Sequence, residues 1–284
     1  MLDKLHIMHY DRKKQFQKEK QIMKKILSLV LALALIICCF AGCGAKKDTL
    51  TVYTEAGFAP YEFVYNNEIV GVDIEIMKAV ADKLGKELVV KDVKFDTIIG
   101  AVKSGKADAG AAGITITDER KEEVAFSIPY SSTEQYVIVK ADNTTIVNLD
   151  NLKGIKIGVQ NGTTSDLMID GLVKDGTLAD TTIVPYDAPA IAAAALGTKV
   201  DAVVTDKLTA QIIVDSSNGA YKTFKLVKAD GSDAAEVEEY GIAVSQDNAD
   251  LLKAINEVLQ GLLDDGTVAN WEKEFNDKAA TIEE

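Results

Sequence analysis

From residue 49 onward, short apolar runs alternate with longer segments whose apolar residues recur at helical spacing, and this alternation constrains the fold more than any other feature. Residues 50–53 read as a strand, 72–84 as a helix, 88–93 as a strand, 96–104 as a helix capped by Asp96, 107–112 as a small-residue strand and 136–140 as the next strand. In the first helix Ile74, Ile76, Met77, Val80 and Leu84 make the apolar side, and Gly85 is the stop. A second cycle follows, with strands at 155–159, 182–185 and 202–205 and helices at 165–174, 188–196 and 207–214. A strand at 240–244 and helices at 248–263 and 267–275 end the pattern. Strand–helix alternation builds mainly parallel sheets covered by helices. GKADA at 105–109 and GTKVDA at 197–202 each lead into an apolar strand, an echo 92 residues apart that two similar α/β lobes would produce.

Upstream the chain is of another kind. KQIMKK at 20–25 precedes an apolar run at 26–42, the shape of a secretory signal peptide. The run is short for a membrane span, which needs about 20 residues. Its end, Phe40-Ala41-Gly42-Cys43, resembles a bacterial lipobox, with Phe40 where that pattern usually has Leu. The resemblance implies cleavage before Cys43 and a diacylglycerol on its thiol. Residues 1–22 are strongly polar, so Met23 is the expected natural start. Residues 43–48 then form a short tether.

Removing residues 1–42 changes what chemistry is possible. The two His of the chain, His6 and His9, go with the leader, as do Cys38 and Cys39. What remains is 242 residues with 22 Lys, one Arg and a net charge of −18. That length suffices for two modest domains. The acidic balance argues against nucleic acid, which needs concentrated Lys and Arg. Without His or a second Cys, Ser-His-Asp and Cys-His nucleophiles and a His/Cys zinc site are excluded. No cofactor is expected.

Four segments carry a resemblance to a known family: FAPYEF (58–63), GVDIEIMKAVADKLG (71–85), GITITDER (113–120) with FSIPY (126–130), and DAVVTD (201–206). Together they resemble the extracellular solute-binding proteins of family 3, the amino-acid-binding lipoproteins of ABC importers, in the polar-amino-acid branch. The resemblance implies an α/β, two-lobe, type II periplasmic-binding-protein-like fold, each lobe a mostly parallel sheet flanked by helices. It places one lobe at 49–132 plus 239–284 and the other at 133–238, with crossings near 132–135 and 236–239.

The site can be argued from charge. Burying either end of an amino acid zwitterion unpaired costs several kcal/mol. A carboxylate is best held by the planar fork of Arg, and Arg120 is the sole Arg of the mature chain. A surface Arg among Glu119, Glu122 and Glu123 is the plainer alternative. The resemblance makes Arg120 the clamp for the ligand α-carboxylate. Gly113 and Thr115 follow a strand end, the edge where open sheets bind ligands. The Gly113 carbonyl and the Thr115 hydroxyl can accept from the ammonium, and the Thr115 N–H can donate to the carboxylate. Thr164, at a helix start, matches the family's second-lobe donor, although this stretch also reads as a plain cap from Thr163 or Ser165. Asp206 pairs with the ammonium by resemblance; acids at strand ends are otherwise common helix caps. Phe58 and Phe95 match positions flanking the ligand side chain. Glu55 would favour a cationic tip, Gln160 an amide, and a glutamine or cystine reading stays open.

The expected protein is therefore not an enzyme. It is a monomeric, lipid-anchored, extracytoplasmic binder that passes a free amino acid, polar or basic, to ABC permease and ATPase subunits on other chains. Its membrane contact is the lipid on Cys43, and no metal site is expected. The rivals are a cyclohexadienyl dehydratase-like enzyme on the same fold and a surface lipoprotein without a transport role.

Overall fold

Along the central strands alternate residues turn to opposite faces, and both faces are apolar, so helices must cover the sheet on two sides. The computed structural model describes residues 48–281; the leader and Cys43 with its expected lipid lie outside the described residues. Two five-stranded sheets result. In the first, β5 (Glu87–Asp92), β1 (Thr49–Thr54), β6 (Ala109–Gly110), β15 (Ala243–Val244) and β7 (Ala125–Phe126) lie side by side in that order. In the second, the order is β11 (Thr182–Tyr186), β10 (Lys156–Gln160), β12 (Ala202–Asp206), β9 (Gln135–Lys140) and β13 (Tyr221–Lys225). The first three strands of each list are parallel; β15 and β9 run against both of their neighbours. Four strands of each sheet thus share a direction, and the opposing strand occupies the same place in both orders.

The repeated GKADA and GTKVDA segments lead into β6 and β12, the third strand in each order. Their aspartates do the same work. The Asp108 N–H donates to the Thr51 carbonyl at 2.8 Å and its carboxylate accepts from the Thr51 N–H at 2.7 Å. Asp201 repeats this on Lys156 at 2.8 and 2.9 Å. Each aspartate therefore pins the start of the central strand.

The cores follow the alternation. Ile157 and Val159 of β10, Val137 and Val139 of β9 and Val204 of β12 face one cluster, which includes Ile169 of α4 (Thr164–Lys174). Ile138 and Val203 face the other, with Ala192 and Ala193 of α5 (Pro189–Ala194) and Ala210 of α6 (Lys207–Asp215). On the first sheet, Ile76, Met77 and Val80 of α1 (Val72–Leu84) pack with Ile255 and Leu259 of α7 (Ala249–Asp264) and with Val268 and Phe275 of α8 (Thr267–Ala279). Ile98 and Val102 of α2 (Ile98–Lys103) cover the opposite face with Ile114 and Val124.

The chain passes between the sheets twice. β8 (Ser131–Thr133) leads into β9, and β14 (Glu238–Tyr240) leads back into β15; the two pair antiparallel, Thr133 opposite Glu238 and Ser131 opposite Tyr240.

Several elements differ from the sequence expectation. The strand at 107–112 is only Ala109–Gly110, because its small residues give little cross-strand contact. The strand at 240–244 breaks at residues 241–242 into β14 and β15. Asp96 caps no helix: it lies in a 3-10 turn, Phe95–Thr97, and its carboxylate accepts from Asn161 Nδ2 at 2.6 Å. The small antiparallel sheet β2 (Gly57–Phe58), β3 (Glu62–Tyr65), β4 (Glu68–Val70) and the strand β13 are not marked by simple periodicity.

Gly71 opens α1 at φ 137°, and a Cβ there would lie 2.1 Å from the Tyr61 carbonyl oxygen. Gly85 closes α1 at φ 65° with open space around it. Gly71→Ala is therefore expected to cost about 3 kcal/mol or more, and Gly85→Ala about 1 kcal/mol, as read from urea unfolding midpoints.

Candidate functional site

The carboxyl ends of β6, β10 and β12 converge on one small cavity. Arg120, in the single turn α3 (Asp118–Lys121), reaches it after the β6 loop. Thr117 caps that turn through the Arg120 N–H at 3.2 Å, which aims the side chain inward. The guanidinium donates to the Thr115 carbonyl at 2.7 Å and to the Gly162 carbonyl at 3.1 Å, and so spans residues of both sheets' loops. Its Cζ lies 5.5 Å from the Phe95 ring centroid, a cation–π distance. Burial pushes its pKa down, opposed by the carboxylates Glu238, Asp206 and Glu119.

Gly113 sits at φ 53°, and a Cβ would meet Phe58 Cε1 at 2.8 Å. Only glycine lets Phe58 close this wall. The Gly113 N–H donates to the fully buried Asp73 at 2.9 Å, which fixes the orientation of the peptide.

Asp206 holds the N-cap position of α6 yet makes no side-chain capping bond. Its Oδ1 accepts from Gln135 Nε2 at 2.7 Å, and its Oδ2 accepts from the Tyr240 hydroxyl. The helix-cap alternative for this acid therefore does not hold. At α4 the capping falls to Thr163, whose hydroxyl accepts from the Asp166 N–H at 3.3 Å, and the Thr164 side chain is left for the cavity.

Glu238 joins the two sides. Its Oε2 accepts from the Thr115 hydroxyl at 2.7 Å and the Thr164 hydroxyl at 2.6 Å, and its Oε1 accepts from Gln135 Nε2 at 2.8 Å. Ser165 donates to Gln135 Oε1 at 2.6 Å and sets which end of that amide faces the carboxylates.

At the far end, Gln160 Nε2 donates to Glu55 Oε2 at 2.8 Å and to the Asp187 carbonyl at 3.0 Å. Burial, more than the nearby Asp92 and Asp187 charges, pushes the Glu55 pKa up to about 7.

The cavity wall brings together Arg120, Asp206, Thr115, Gly113, Thr164, Phe58, Phe95 and Gln160. Glu55 is not on the wall; it stands behind Gln160. Sequence reasoning passed over Gln135, Glu238 and Tyr240. Their signal was weak: all three lie in or beside the crossing strands, where β alternation over three residues says little. Among the described residues no group of three or more His, Cys, Asp or Glu is placed to hold a metal ion, and no helix is long and apolar enough to cross a membrane.

Residues 50–278 match the sequence model of bacterial extracellular solute-binding proteins, family 3. The chain is 30% identical over 225 residues to the L-cystine-binding protein TcyJ of Escherichia coli (strain K12), covering 78% of this chain and 80% of that one. It is 30% identical over 237 residues to the arginine-binding extracellular protein ArtP of Bacillus subtilis (strain 168), covering 83% and 89%. Among solved structures, an ancestral arginine-binding protein bound to arginine matches with a TM-score of 0.71 at 40% identity, covering 81% of this chain and 98% of that one.

Burial raises the carboxyls of Glu55, Asp73 and Asp206 each to about 7, and raises those of Glu62 and Glu272 as well. An acid whose pKa is raised on folding binds its proton more tightly in the folded state. Between the unfolded value of about 4 and the folded value, stability therefore falls as pH rises. Thermal midpoints are expected to climb as pH drops from about 8 to about 5.5, with a shallower slope in Asp206→Asn. A midpoint that falls over that window would contradict the burial of these acids.

Proposed function

Because the chain belongs to the bacterial extracellular solute-binding proteins of family 3, we propose that it captures a free amino acid with a cationic side chain between its two lobes and delivers it to an ABC permease. Its fold is the two-lobe, type II arrangement of periplasmic amino-acid-binding proteins. The proposal extends to an extracytoplasmic monomer held at the membrane by a lipid on Cys43, with permease and ATPase on other chains. The lobes are taken as 49–132 plus 239–284, and 133–238.

The observation that carries the reading is that Arg120, after the loop of one sheet, and Asp206, at a strand end of the other, line one small cavity. A zwitterion lying between them has its carboxylate on the guanidinium and its ammonium on the aspartate. Such contacts form only when the lobes are together, so ligand binding favours closure. Phe58 and Phe95 supply apolar walls for the aliphatic stem. The tip is read by Gln160. Both of its amide hydrogens are taken by Glu55 and the Asp187 carbonyl, which leaves its Oε1 as an acceptor. With Glu55 and Asp187 behind it, that end suits a guanidinium or ammonium. A second reading, a glutamine-like or cystine ligand, is favoured by the fact that Gln160 and not Glu55 touches the cavity.

No catalytic step is assigned. The relatives named above are binding proteins, and the mature sequence has no His to serve as a general acid or base near neutral pH.

Refolded protein, residues 44–284, is to be screened by thermal shift against the common amino acids, ornithine, citrulline and cystine. Arginine, lysine and ornithine are expected to raise the midpoint; a ligand at 100 times its Kd adds about 2.7 kcal/mol. A shift for glutamine or cystine alone would select the second reading. Arg120→Ala and Asp206→Ala are each expected to lose about 2–5 kcal/mol of binding by calorimetry, from the charge left unpaired. Turnover of prephenate would return the dehydratase rival.

A further inference from the structure

We infer that Glu238 selects for the ligand's ammonium by taking the hydroxyl hydrogens of Thr115 and Thr164, so that both hydroxyls can only accept from the cavity. The inference rests on the reading that an amino acid occupies the cavity.

A threonine hydroxyl has one hydrogen and two lone pairs, and a carboxylate only accepts. Thr115 Oγ1 and Thr164 Oγ1 give their hydrogens to the same oxygen, Glu238 Oε2, at 2.7 and 2.6 Å. The other oxygen, Oε1, takes one hydrogen of Gln135 Nε2 at 2.8 Å. The second hydrogen of that nitrogen goes to Asp206 Oδ1 at 2.7 Å, and the Tyr240 hydroxyl goes to Asp206 Oδ2. Ser165 holds the Gln135 amide in this sense by donating to its Oε1 at 2.6 Å. The hydroxyl and amide donors just named are thus committed to one of two carboxylates, or to the amide between them, while Arg120, which donates to the Thr115 and Gly162 carbonyls, stays the cationic donor of the wall. What the two cavity-lining threonines can offer a ligand through their hydroxyls is lone pairs, beside the carboxylate of Asp206.

Such a corner matches a group that has hydrogens to give and no lone pair to place. An ammonium is that group. A ligand hydroxyl could be accommodated, but a second carboxylate could not. Glu238 itself is not on the cavity wall; it acts through the two threonines and is a positioning residue.

The glutamine variant exposes the mechanism, because an amide has one acceptor and one donor end. If its oxygen faces the threonines, its NH2 meets the Gln135 NH2, donor against donor. If its oxygen faces Gln135, its NH2 occupies the hydroxyl lone pairs and their hydrogens turn toward the cavity. Either way the corner loses acceptors.

The test compares each amino acid with its analogue lacking only the ammonium: L-arginine with 5-guanidinopentanoate, and L-glutamine with 4-carbamoylbutanoate. Affinities are measured by calorimetry or competition in the wild-type protein and in E238Q. For whichever pair the wild type binds, E238Q is expected to weaken the amino acid about 10-fold or more and the desamino analogue by less than about twofold. Equal loss for both members of the pair would make Glu238 a shaper of the cleft, and no loss for either would make it idle; each result overturns the inference. If E238Q does not fold, E238A is read the same way, since it removes the acceptor and frees both hydroxyl hydrogens. Wild-type protein that binds neither amino acid, nor any other in the screen, would instead remove the reading beneath.

Discussion

A buried carboxylate, Asp206, and a half-buried one, Glu238, share one carboxamide, and much of the site's geometry follows from that. Asp206 and Glu238 both accept from Gln135 Nε2, at 2.7 and 2.8 Å. Burial and then the Glu238 charge push the Asp206 pKa up to about 7, and hydrogen-bond donors offset part of that cost. Those donors come from several elements: Thr115 after β6, Thr164 at the start of α4, Tyr240 on β14 and Gln135 on β9. The ladder between β8 and β14 fixes their meeting. Glu238 and Tyr240 are two apart on β14 and so turn to the same side, while Glu239 between them is exposed. A slip of one residue in that register would send both away from Gln135 and Asp206.

The two sheets answer to one plan with different loads. Asp108 and Asp201 pin equivalent strands by the same pair of hydrogen bonds. The strand ends then diverge in use. Asp206 gives up its local role as a cap, and the first N–H of α6, on Lys207, donates instead to the Thr133 hydroxyl at 3.2 Å. Thr163 keeps the cap of α4, which frees Thr164. Local rules of this kind are broken at sites where a side chain is needed elsewhere.

A common device stands at both ends of the cavity. Glu238 lies behind Thr115 and Thr164, and Glu55 lies behind Gln160. In each case a carboxylate one layer back takes hydrogens from a neutral polar group and leaves that group's acceptor capacity toward the cavity. Among the described residues that line the cavity, Arg120 is the one cation and Asp206 the one acid, with Glu238 and Glu55 a layer behind. That asymmetry is the physical content of an amino acid site: one place for a carboxylate, and acceptors for everything that carries hydrogens.

The sequence by itself determined the fold class, because strand–helix alternation with both faces apolar has few solutions, and it marked Arg120 through sheer scarcity. The GxTxTxxR segment and the strand-end Asp206 were legible as well, through the resemblance that GITITDER and DAVVTD carry. Short strands such as Ala109–Gly110 and β14 were not legible as they stand, because two or three residues carry too little periodicity. The partners of Asp206 were hidden for a different reason. Gln135, Glu238 and Tyr240 are 71, 32 and 34 residues from it along the chain, and nothing local to any of them signals the others. Only the tertiary structure decided that Asp206 faces Gln135 and Tyr240 and does not cap its helix, and that Glu55 stands behind Gln160. Hydrogen bonds between side chains far apart in sequence depend on strand register and on how the sheets are joined, and those are properties of the folded chain.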